Sequence, residues 1–142
     1  WKRGMPPPQM TILNAPIRDA CVARRERTNT PSQALLLLNE GEYFKAARNL
    51  ARQVILREGP RPDDPLTEIY ETITSRLPDP GERALLSLLV KDLEKNYLEN
   101  PQLAEKLCAG ESLQDAGKRA RLAAWTVLVN TLYNLDITKT RQ

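Results

Sequence analysis

Histidine is absent from this 142-residue sequence. That removes the commonest general base, the commonest zinc and iron ligand, and the usual axial ligand of haem. Cysteine is nearly as scarce: Cys21 and Cys108 stand far apart and form no Cys-x-x-Cys pair. Without an imidazole to form a thiolate pair, nothing supports a cysteine hydrolase. The two thiols read as small buried side chains, or as one disulfide in an oxidising compartment. No apolar run approaches the roughly 18–20 residues that cross a bilayer, so no membrane span is expected. Trp1-Lys2-Arg3-Gly4 offers neither an initiator Met nor a following apolar stretch. The expectation is an interior or C-terminal piece of a longer protein, with any address tag upstream.

What the sequence does contain fits one folded domain, long enough to bury a core without staples. The net charge is +3, and 14 of the 21 basic residues are arginine. So small a charge makes a poor electrostatic funnel, and no aromatic residues interleave with the basic ones, so no nucleic-acid partner is expected. An excess of arginine over lysine points instead to fixed, bidentate partners such as carboxylates, carbonyls or anionic groups.

Two stretches differ in texture. Residues 1–30 contain Pro6-Pro7-Pro8 and Pro16 with few periodic apolar positions. Consecutive prolines fix φ and delete amide donors, so this stretch reads as an extended arm of the same domain. A short turn is allowed at Pro16–Cys21. Residues 31–142 read as the helical domain proper. Its helix starts share one chemistry, a capping side chain followed by proline: Thr30-Pro31, Asp64-Pro65, Asp79-Pro80 and Asn100-Pro101. The cap oxygen accepts an orphaned amide hydrogen, and proline has none to orphan. Thr30 with Gln33, and Asp79 with Glu82, also have capping-box spacing.

Helices are expected at about 31–39, 41–57, 65–76, 80–98, a short one holding Leu103 and Leu107, and 118–134. Leu35-Leu36-Leu37-Leu38 is apolar all round, which implies burial. Tyr43, Phe44, Ala47, Leu50, Ala51, Val54 and Ile55 share one stripe, and Leu85, Leu86, Leu89, Leu93 and Tyr97 form another. The expected fold is all-α: a compact bundle of about five to six helices preceded by an extended proline-rich arm.

Chemistry concentrates in Arg24-Arg25-Glu26-Arg27, just before the helix that Thr30 starts. Two readings stand for Arg24, Arg25 and Arg27. They form an anion site with the free amides of the helix start, or they pin the irregular arm to acidic groups and carbonyls. In the second case at least one should meet the last helix or an acidic cap. The carboxylate pairs Asp63/Asp64, Asp79/Glu82 and Glu40/Glu42 sit at helix starts, where the dipole favours negative charge, so capping explains them. Asn130, Asn134 and Asp136 read as hydrogen-bond partners of the arginine loop or as caps of the last helix. No catalytic residue and no metal site is assigned.

The strings Trp1-Lys2-Arg3, Pro6-Pro7-Pro8, Ala23-Arg24-Arg25-Glu26-Arg27-Thr28-Asn29-Thr30-Pro31-Ser32-Gln33-Ala34-Leu35 and Leu38-Asn39 resemble a known family. So do Ala123-Ala124-Trp125-Thr126 and Leu132-Tyr133-Asn134-Leu135-Asp136 near the end. The family is the planctomycete-type C-terminal domain of unknown function, family 1553. Ser75-Arg76-Leu77-Pro78 departs from it, standing where relatives often show a Gly-Arg-Pro-like turn.

The resemblance implies a large exported protein, periplasmic or extracellular, with a planctomycete-type cytochrome c module upstream. It therefore implies haem c in that upstream part and no cofactor in this chain. Three functions follow as expectations. The first is a non-catalytic domain packing against the upstream domains of a redox-linked protein. The second is a module binding an anion or sulfated polysaccharide through the arginine loop. The third is a part of an enzyme whose active site lies mainly upstream.

Overall fold

The structure is a computed structural model that describes residues 7–16, 23, 28–57, 64–108 and 113–139. Eight α-helices and no strand occur among the described residues. They are α1 (Pro8–Ile12), α2 (Pro31–Asn39), α3 (Gly41–Ile55), α4 (Pro65–Thr74), α5 (Pro80–Glu99), α6 (Pro101–Leu107), α7 (Ala116–Tyr133) and α8 (Asp136–Lys139). The all-α expectation stands, with two more short helices than the apolar periodicity announces.

One of these lies inside the arm, which is therefore not extended throughout. Pro7 keeps a polyproline-like φ of −54° and ψ of 140°, but Pro8 is already the first residue of α1. A proline at that position is pre-set for helix, and its missing amide is one the helix would leave unpaired anyway. The helix stops at Asn14, whose φ is 50°. Asn14 N–H bonds to Thr11 O at 3.1 Å and Ala15 N–H to Met10 O at 2.8 Å. This is the paired-bond ending that a left-handed residue allows, and asparagine tolerates that backbone better than most.

The four cap-proline starts divide into two chemistries. Thr30 and Asp79 form complete capping boxes with Gln33 and Glu82. Asp64 and Asn100 stand at the N-cap without a side-chain cap bond. Asp64 spends its carboxylate on the Thr67 hydroxyl at 2.5 Å and the Arg83 Nε at 3.0 Å. Asn100 turns backwards and donates to Asn96 O at 3.0 Å, closing the end of α5 instead of opening α6. Both have φ below −120°, away from the extended geometry that Thr30 and Asp79 adopt.

α7 is the centre of the molecule. Leu122, Ala123, Ala124, Trp125 and Thr126 are buried in succession, which a helix manages only when neighbours surround it. It packs chiefly on α3 and α5, with α6, α4, α2 and α8 completing the shell. Ala47 and Ala51 of α3 and Ala120, Ala123 and Ala124 of α7 are all buried. Side chains this short let two helix axes come close. Leu122, Leu128 and Leu132 are at most 1% exposed, and burial of each contributes about 1.5–3 kcal/mol.

Three apolar expectations fail. In the four-leucine run only Leu37 is buried, while Leu35 is 63% exposed. α2 is covered from one side, so four consecutive apolar residues must spread round its circumference. In α5, Leu86, Leu89, Leu93 and Tyr97 pack on the core as expected, but Leu85 is 70% exposed. At 100° per residue it lies 40° from Leu89, at the edge of the core-facing stripe, where it is left open. Tyr43 is likewise exposed at the start of α3.

Candidate functional site

Arg24, Arg25 and Arg27 lie outside the described residues, as do Cys21, Asp63 and the expected turn at Pro16–Cys21, apart from Pro16 itself. What is described is the junction that follows them in the chain, and its central residue is Gln33. Its side chain is buried at the start of α2, with both amide hydrogens and the amide oxygen engaged. Oε1 accepts from the Thr30 amide at 3.1 Å, completing the capping box. Nε2 donates to Ile12 O at 2.9 Å and to Thr28 Oγ1 at 2.8 Å. Thr28 Oγ1 also accepts from Asn14 Nδ2 at 3.0 Å. One amide thus ties three pieces of chain together: the end of α1, the segment leaving the arginine loop, and the first turn of α2.

A second tie runs to the far end of the chain. Asn29 Nδ2 donates to Asp136 Oδ1 at 2.8 Å, across 107 residues of sequence. Nearby, Asn130 Nδ2 donates to Leu38 O at 3.2 Å, which fastens the end of α2 to α7. Asn134 Nδ2 reaches back to Asn130 O at 3.4 Å. The amide oxygens of Asn130 and Asn134 are buried without a hydrogen-bond partner among the described residues. Such oxygens are ready acceptors for a further donor.

Other charged groups pair within helices and across the turns between them. Arg76 grips Glu82 with both guanidinium nitrogens, at 2.8 Å and 2.5 Å, and lies 5.1 Å from the centre of the Tyr70 ring. Hydrogen bonds from Arg76 and from the Asp79 amide hold the Glu82 carboxyl down to about 2. Burial pushes the Tyr70 hydroxyl above its usual range, and the Glu82 carboxylate adds to that. For Asp64, burial acts upward but is outweighed by the Thr67 hydrogen bonds and the Arg83 guanidinium, so its carboxyl is lowered. Glu42 pairs with Lys45 at 2.7 Å and Glu68 with Arg57 at 2.8 Å. Among the described residues no group of three or more acidic or cysteine side chains comes together as a metal cage. Nor is any described helix long and apolar enough to cross a membrane. Cys108 is buried, its thiol donating to Arg119 O at 3.5 Å.

Residues 1–90 match the family model PSD1, described as a protein of unknown function (DUF1553). The chain belongs to this DUF1553 family. No curated protein matches the chain, and no solved structure does. The DUF1553 match covers the arm, the Gln33 joint, α2 to α4 and the first half of α5. It stops short of α7, yet α3, α4 and α5 bury their apolar faces on α7. The Asn29–Asp136 and Asn130–Leu38 bonds cross the same boundary. One core therefore spans the matched and unmatched parts.

The joint was only half visible in the sequence. Gln33 stood out as the last member of a capping box, a role that glutamate fills as well. The available signal was the amide itself. A glutamine at that position keeps the acceptor that caps the helix and adds two donors that a carboxylate lacks.

Proposed function

We propose that this DUF1553 chain is a non-catalytic helical domain of a larger exported protein, which packs against the domains upstream of it. Gln33 carries the reading. A buried side chain that caps α2 and also binds Ile12 O and Thr28 Oγ1 fixes the arm to the bundle. A domain whose leading segment is fastened this way holds whatever precedes it in a set orientation. The carboxylates at the helix starts support the same reading, because capping and ion pairs occupy Asp64, Asp79 and Glu82.

The resemblance stated for the sequence supplies the wider setting: a redox-linked protein, periplasmic or extracellular, with haem c in the upstream part. The chain has no Cys-x-x-Cys-His and no histidine, so any haem of such a protein is held in its other parts. Arg24, Arg25 and Arg27 serve in this reading as further pins of the arm. The alternatives are binding of sulfated polysaccharide through these arginines, or a share in an enzyme site lying upstream.

Small-angle scattering of the full-length protein tests the proposal. Replacing Gln33 by Leu should broaden the distribution of interdomain distances while the helical content stays unchanged. An unchanged distribution would overturn the role of the joint. Turnover of any substrate by the isolated chain would overturn the non-catalytic assignment.

A further inference from the structure

We draw no further inference here: the strongest candidate, the exposed apolar stripe of Gly81, Ala84, Leu85 and Leu88 on the outer side of α5, is an unpartnered helix face, and nothing in the structure shows what covers it.

Discussion

Ser75 ends α4 with φ 60° and ψ 24°, a left-handed backbone that an L side chain enters at a cost. The turn it starts is held by Arg76, which donates to Leu77 O at 3.1 Å as well as gripping Glu82. Glycine takes the Ser75 backbone without steric cost but loses more freedom on folding. The balance predicts that Ser75→Gly stabilises the protein by a few tenths to about 1 kcal/mol, read as a rise in the urea midpoint at constant slope.

Glu82 gives the pH dependence of the same turn. Its folded carboxyl, at about 2, lies below the ordinary 4.5. The ion pair therefore stabilises the fold above about pH 4.5, and that contribution disappears as pH falls towards 2. Both partners are about a third exposed, so water screens the pair and its share is modest. Glu82→Gln should lower the thermal midpoint at pH 7 and flatten its decline between pH 4.5 and 2. An identical pH profile in the variant would remove Glu82 as the titrating group.

At the scale of elements, the cap-proline junctions separate by what their side chains do. Thr30→Ala and Asp79→Ala each remove a formed cap bond and should cost about 1 kcal/mol by denaturant unfolding. Asn100→Ala removes only the backward bonds to Asn96, so less than half that loss is expected. Equal losses at all three would mean that the caps act alike.

The contrast also shows what was legible in the sequence. The starts of α2, α4, α5 and α6 could be read from proline at the first helical position, because proline acts locally and needs no partner. Whether the preceding side chain caps could not be read in the same way. Asp64 was drawn off by Arg83, nineteen residues away, and Asn100 by the helix before it. α1 and α8 escaped notice because four or five residues leave too little periodicity to count. The exposure of Leu35 and Leu85 escaped for a different reason. A run of leucines states that a helix is apolar but not which side its neighbours cover.

For the whole molecule, α7 decides stability. Leu128 is fully buried among α7's neighbours, and Leu128→Ala should cost about 2–5 kcal/mol. Leu85→Ala, on the open face of α5, should change stability by no more than about 0.5 kcal/mol. Comparable losses at both sites would mean that Leu85 is covered in solution. Because α7 lies beyond the family match, a chain cut at residue 90 would leave the apolar faces of α3 and α4 without their partner. Such a chain should fail to unfold cooperatively.

The fastening of the arm is the central claim, and hydrogen exchange at Leu13, Asn14 and Ala15 tests it most directly. These amides are bonded to Gln9, Thr11 and Met10 within α1. Gln33→Glu keeps the acceptor that caps α2 but loses the donors to Ile12 O and Thr28 Oγ1. Thr30→Ala removes the hydroxyl that accepts from the Gln33 backbone amide and leaves every bond of the Gln33 side chain in place. Exchange at the three amides should accelerate at least tenfold in Gln33→Glu and stay near the wild-type rate in Thr30→Ala. If protection persists in Gln33→Glu, or falls equally in both variants, Gln33 does not hold the arm.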